Sequence, residues 1–224
     1  MENITIQLPD GSKKELPQGS TGLDLAASIG PGLAKDAVAV SIKGEQFDLL
    51  DALPDKSEVS IITIKSAEGL DIMRHTLTAQ VLASAVKNLY PDAKLAIGPT
   101  IEDGFYYDFL FSKPLSVDDL PNIEKEMNEI ISDKSNITKT LHNKDDAISI
   151  FNDMEETFKA EIIAESEQQD NFQIYTQDNS NFKDLCRGPH LPNLNLIGEF
   201  KLTKVSGAYL SLIHISEPTR PLEI

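Results

Sequence analysis

Residues 4 to 17 read Ile4-Thr5-Ile6-Gln7-Leu8-Pro9-Asp10-Gly11-Ser12-Lys13-Lys14-Glu15-Leu16-Pro17, and this stretch decides how the start of the chain folds. Ile4, Ile6 and Leu8 alternate with polar neighbours at a period of two, the pattern of a strand with one buried face. Pro9-Asp10-Gly11 is a turn signal, so residues 13 to 17 return as the second arm of a hairpin. Ser20 or Thr21 then offers a helix N-cap ahead of Leu23, Leu25, Ala26 and Ile29, whose spacing makes one apolar face, and Gly30-Pro31-Gly32 stops the helix. Val38-Ala39-Val40-Ser41-Ile42 and Val59-Ser60-Ile61-Ile62-Thr63-Ile64 supply two further strands, joined through Gly44 and the Leu49 to Pro54 segment.

That order predicts a small ubiquitin-like β-grasp over residues 1–64. Ser66-Ala67-Glu68-Gly69 reads as a short polar joint, which sets a boundary near residue 65. Beyond it Val81, Leu82, Ala85, Val86 and Leu89 repeat at helical spacing, and Tyr90-Pro91 ends the helix. His75 stands where this first helix is expected to begin. Residues 94 to 99 and 104 to 109 read as strands around turns, and 120 to 131 and 147 to 165 as helices. Residues 171 to 185 leave strand and helix open, whereas 196 to 202 and 205 to 209 read as late strands. The second unit, residues 65–210, is therefore expected to be α+β with segregated helices.

Composition narrows the function classes. The 224 residues are 40% hydrophobic and 25% charged, the range of a folded globular chain, which argues against wholesale disorder. A single cysteine, Cys186, excludes an internal disulfide and cysteine-rich zinc modules. No apolar run approaches the roughly 18 residues of a membrane span, and Met1-Glu2-Asn3 lacks a basic, apolar leader, so a cytoplasmic protein without a membrane partner is expected. Twenty Lys and Arg against 36 Asp and Glu give a net charge of −16, which opposes broad phosphate contact. The acids crowd the stretch between Asp118 and Asp170, however. Lys183, Arg187, Lys201 and Lys204 leave a mildly basic segment free for an RNA end.

The densest chemistry is Asp184-Leu185-Cys186-Arg187-Gly188-Pro189-His190. Gly188-Pro189 forbids a regular helix, so the thiol and imidazole can converge only through a turn, as a short metal or catalytic clasp would need. A buried thiol beside a turn histidine explains the same residues without function. No local protease signature surrounds Cys186.

Two groups of motifs carry a family resemblance. Arg74-His75, Ala79-Gln80-Val81-Leu82-Ala83, Leu89-Tyr90-Pro91, Ile97-Gly98-Pro99 and Gly104-Phe105-Tyr106-Tyr107-Asp108 form the first. Asp184 to His190, Phe200-Lys201-Leu202 and Ser206-Gly207-Ala208-Tyr209 form the second. In that order they closely resemble the editing domain of bacterial threonyl-tRNA synthetases, and residues 1–64 are similar to the TGS domain that precedes it. The resemblance implies an editing domain of the threonyl/alanyl-tRNA synthetase type. Its parent ligase charges tRNA(Thr) with threonine, and the editing site hydrolyses serine attached to that tRNA by mistake. The implied partner is the tRNA(Thr) acceptor end. ATP, magnesium and zinc are expected only in an aminoacylation domain beyond Tyr209, as is a homodimer interface.

The resemblance also assigns residues. His75, Cys186, His190, Lys159 and Asp184 match pocket positions expected to be catalytic, with His75 or His190 as proton acceptor, Lys159 offsetting anionic charge and Asp184 orienting a donor. Gln80, Tyr106, Tyr107 and Arg187 are expected against the substrate. Read without the resemblance, Lys159 is a solvated helix charge and Asp184 a turn residue. The family's helix carries two histidines four apart, but here Ala79 holds that place, and one inserted residue would give it to Gln80, which cannot act as a base near neutral pH. A metal has only three evident ligands, His75, Cys186 and His190, so whether one binds stays open. A module that binds the tRNA end without hydrolysis and a free-standing trans-editing hydrolase are the alternatives. Residues 211–224, with Pro218 and Pro221, match nothing in the family and are expected to be a frayed, non-native tail.

Overall fold

The computed structural model describes residues 2–96, 98, 100–101 and 104–206. The expected tail at 211–224, His214 and most of the strand expected at 205–209 lie outside them.

The hairpin forms where alternation placed it, as β1 (Asn3–Gln7) and β2 (Lys13–Pro17). Thr21 is the N-cap of α1 (Gly22–Ile29), closing a capping box with Asp24. A short α2 (Pro31–Asp36) leads into β3 (Ala37–Ile42) and β4 (Glu45–Asp48), and β5 (Ser57–Thr63) runs parallel to β1, giving the sheet order β2-β1-β5-β3-β4. Ile4, Ile6, Leu25, Ala26, Val40 and Val59 fill the space between sheet and helix. The β-grasp is thus built as expected, with one added strand, β4 (Glu45–Asp48). It arises because Lys43 and Gly44 both take positive φ, 54° and 85°, and close a two-residue hairpin onto β3.

The second unit opens on one long helical run. Ser66 caps α3 (Ala67–Thr76), which passes through a π-helical turn (Leu77–Leu82) into α4 (Ala83–Leu89), and Tyr90 ends it. His75 therefore sits in the last turn of α3, inside the run and not at its start. The strands expected around residues 94–109 shrink to two-residue pairs, β6 (Lys94–Leu95) with β9 (Phe109–Leu110) and β7 (Thr100–Ile101) with β8 (Gly104–Phe105). After α5 (Leu120–Ser132) comes β10 (Ile137–His142), and the open segment 171 to 185 becomes β11 (Phe172–Gln177) and β12 (Lys183–Leu185). These three form an antiparallel sheet ordered β10-β11-β12. One face packs on the helical run and α5 through Ile137 and Tyr175, the other on the helices after β10 through Phe172 and Ile174.

Two expectations fail for physical reasons. The helix expected over 147–165 is two, α6 (Lys144–Asp153) and α7 (Thr157–Glu165), because Glu155 turns to a φ of 59° and lets the Glu156 N–H donate to the Phe151 carbonyl. Residues 196–202 do not pair as a strand among the described residues. A 3-10 turn (Leu194–Leu196) comes first, then Ile197, Phe200 and Leu202 pack singly on the core while the Leu202 N–H donates to the Glu124 carboxylate at 2.6 Å.

The two units share a core. Val38, Ala39 and Ile62 of the β-grasp pack against Ile72 of α3 and Leu191. Gly69 makes this approach possible, since a Cβ there would run into the Thr63 carbonyl. Gly69→Ala is expected to cost about 1–3 kcal/mol of stability through overpacking against rigid backbone, read as a lower urea midpoint. An unchanged midpoint would show that α3 is free to move off β5.

Candidate active site

The site is built where α3 meets the β11–β12 face. Tyr175 and Asp184 stand opposite each other in the strand register and so share one face of the sheet. Past β12 the chain turns through Cys186, Arg187, Gly188 and a cis Gly188–Pro189 peptide to His190. Gly188 has a φ of 63°, and any side chain on it would strike the Tyr175 phenol, so the glycine is required twice over. The turn returns His190 to α3, beside His75 and Thr76.

His75 Nε2 lies 2.9 Å from Cys186 Sγ. Burial, helped by the nearby Asp184 charge, pushes the thiol up to about 12. The sulfur thus keeps its proton at neutral pH and donates it to Nε2. Burial likewise holds His75 below the ordinary imidazole range against the opposing pull of Asp48, so it is the neutral acceptor of that bond.

His190 is 2% exposed, and its Nδ1 lies 3.2 Å from Thr76 Oγ1. That hydroxyl already donates to the Ile72 carbonyl and accepts from the Leu191 N–H, each at 2.9 Å. With its only proton committed, Thr76 can only accept from His190, which fixes the hydrogen on Nδ1. Nε2 is left as a bare lone pair, buried and without a protein partner. Burial and the adjacent His75 hold His190 well below the ordinary imidazole range, so this lone pair persists at neutral pH. The ring is clamped on two sides, stacked on His75 at 4.6 Å between centroids and met edge-on by Tyr175 at 4.4 Å.

Lys159 and Asp184 are not solvated charges. They are 4% and 2% exposed and bound to each other as an ion pair. Burial raises the Asp184 carboxyl while the Lys159 ammonium pulls it back. The break between α6 and α7 is what points Lys159 inward, from the first turn of α7. Tyr107 stacks on Phe109 at 4.5 Å, and burial, then the Asp184 charge, pushes its phenol up. Tyr106 and Arg187 are exposed.

Gln80 lies on the π turn, fully buried, with no hydrogen-bond partner for its side-chain amide, while its carbonyl accepts from Gln177 at 2.8 Å. An i→i+5 turn accommodates one residue more than an α turn, which is the one-residue offset that the apolar pattern after His75 demands.

Four residues of this neighbourhood carried no sequence signal. Thr76 and Asp48 hydrogen-bond His190, Tyr175 braces its ring, and Glu156, 2% exposed, is paired with Lys87 at 2.7 Å in a separate cleft of about 380 Å³. The donor atoms of His75, Cys186 and His190 all lie within 4.8 Å of one another. They fit the three protein ligands of an open zinc site only once the thiol gives up the proton it shares with His75.

Residues 4–63 match the TGS domain, and residues 173–215 match the threonyl and alanyl tRNA synthetase second additional domain. The chain thus carries a TGS domain and, after it, a segment of the second additional domain type. It is similar to the threonine–tRNA ligase of Hahella chejuensis, 46% identical over 204 residues, and to that of Pelobacter propionicus, 47% identical over 209. The threonine–tRNA ligase of Ralstonia nicotianae is 45% identical over 206 residues. These alignments cover 91%, 93% and 92% of this chain but 32% of each relative, so the chain spans about a third of the length of the relatives it matches. No helix among the described residues is long and apolar enough to cross a membrane.

The second unit of the chain thus contains a buried ion pair whose partners depend on each other. Lys159→Met is expected to cost about 3–5 kcal/mol by stranding the Asp184 charge, and the double variant Lys159→Met, Asp184→Leu to recover most of that in urea unfolding. A double variant as unstable as the single one would show the pair to be uncoupled. Cys186 is expected to react with iodoacetamide at pH 8 far more slowly in the folded chain than in urea, and equal rates would contradict a protonated, buried thiol.

Proposed function

We propose that this chain hydrolyses the ester between serine and the 3′-terminal ribose of tRNA(Thr). The observation that carries the reading is the His190 Nε2 lone pair, held neutral, buried and unpartnered beside a second imidazole. Ester hydrolysis needs a group to take a proton from water, and an uncharged imidazole nitrogen in a fixed direction meets that need. Water attacks the ester carbonyl as its proton passes to Nε2, and collapse of the tetrahedral adduct breaks the bond to the ribose oxygen. The same proton then goes to that oxygen, releasing serine and the free tRNA end. The Lys159 ammonium, which keeps N–H groups beyond the one given to Asp184, is the nearby donor for the developing negative charge.

The similarity to threonine–tRNA ligases supports this choice of substrate. Serine lacks one methyl of threonine, and a methyl-sized difference gives only about 1–3 kcal/mol of discrimination in a binding pocket. A ligase for threonine therefore gains from a second site that removes serine. Here such a site would exclude threonine by crowding its extra methyl.

The purified chain is expected to deacylate seryl-tRNA(Thr) faster than buffer and to leave threonyl-tRNA(Thr) largely intact. His190→Ala should lower the seryl rate by about 10²- to 10⁴-fold. Tight binding of the tRNA with no turnover would overturn the hydrolase in favour of a binding module. An unchanged rate in His190→Ala would move the base elsewhere.

A further inference from the structure

We propose that Asp48, contributed by the β-grasp domain, is a positioning residue for His190, so that the TGS domain completes the hydrolytic site of its neighbour. The inference rests on the hydrolase reading above.

Asp48 ends β4, and its side chain is 13% exposed. Oδ1 accepts the His190 backbone N–H at 2.9 Å. Oδ2 accepts the Tyr175 O–H at 2.7 Å and the Lys139 ammonium at 2.8 Å. Both oxygens thus reach across the domain boundary. One holds the main chain that carries the imidazole, and the other holds the phenol whose ring edge braces that imidazole at 4.4 Å.

The remaining supports of His190 all come from α3, through Thr76 on Nδ1 and His75 on the ring face. Helix contacts fix the ring against α3, but the loop that carries it runs through Gly188, a residue of high backbone freedom. Asp48 pins that loop's far end at the His190 N–H itself, one residue before the Leu191 N–H is held by Thr76. Lys139, also paired with Asp51 at 2.6 Å, balances the carboxylate charge and makes its burial tolerable. Hydrogen bonds accepted by an ionised group are among the stronger ones, which suits a carboxylate to this task.

The test uses the full chain and seryl-tRNA(Thr). Asp48→Ala is expected to lower kcat by about 10- to 100-fold, the scale of a small misplacement of a reacting group, with KM within about twofold. Asp48→Asn keeps an acceptor oxygen and is expected to restore most of kcat. Ile62→Ala loosens the same interface without touching Asp48, and is expected to lower the melting temperature while leaving kcat within about twofold. Equal kcat losses in Asp48→Ala and Ile62→Ala would overturn the positioning role and leave plain interface stability.

A second readout does not depend on turnover. The 15N signals of the His190 ring are expected to shift in Asp48→Ala and to stay in place in Ile62→Ala. If the wild-type chain is inert, the hydrolase reading fails alone, and the ring signals still decide whether Asp48 positions His190. If the wild type hydrolyses while Asp48→Ala keeps both its kcat and its ring signals, this inference fails alone.

Discussion

Tyr175 is almost wholly buried, and its phenol must find an acceptor inside the protein because water cannot reach it. It finds the Asp48 carboxylate across the domain boundary. Much of the molecule follows from that one bond. The phenol's position forces a glycine at 188, the glycine lets the chain reverse after β12, and the reversal delivers His190 to α3. The ring of the same tyrosine then walls the imidazole. Without the bond the phenol would fall back on the longer contact to Gln173 Oε1 at 3.1 Å, and the carboxylate would keep only its ties to His190 and Lys139.

The environment of the cluster explains its protonation pattern. Desolvation disfavours charge on either histidine and on the thiol alike, so all three sit neutral side by side. A neutral thiol next to a neutral imidazole is a donor and an acceptor, not a nucleophilic ion pair. This separates the site from thiol catalysis, in which the sulfur must lose its proton. It leaves His190 Nε2 as the one basic atom of the three with no prior engagement, and it gives Cys186 the supporting part.

How much of this could be read from the chain differs by element. The β-grasp was legible because Ile4, Ile6 and Leu8 alternate, Thr21 caps and Gly30-Pro31-Gly32 stops, each a local signal. That Cys186 and His190 could meet only through a turn was legible from Gly188-Pro189, although the meeting itself was not. What failed depended on distant contacts. Nothing in Asn152-Asp153-Met154-Glu155-Glu156 announces a helix break, since no glycine or proline marks it, yet that break buries Glu156 and turns Lys159 inward. Residues 196–202 have a strand's alternation but find no strand partner among the described residues. Asp48 and Tyr175 were invisible for a simpler reason: their roles exist only once two domains have packed.

The π turn ties the sequence's oddest feature to the site. A single added residue between His75 and the apolar stripe of α4 would rotate every later side chain by about 100° in a regular α-helix, turning Val81, Ala85 and Val86 out of the core. A wide turn takes up the extra residue instead, and those side chains stay buried. The accommodation costs a buried amide at Gln80 without a protein partner, a kind of group that folded proteins seldom tolerate without use. Position 80 holds a side chain that can both donate and accept where the resemblance expects a second imidazole. It can hold a polar ligand in place but cannot take its proton. On the proposed reading the proton-transfer work therefore falls on His190, and that is why the supports around that ring, Thr76, Tyr175 and Asp48, carry so much of the site's design.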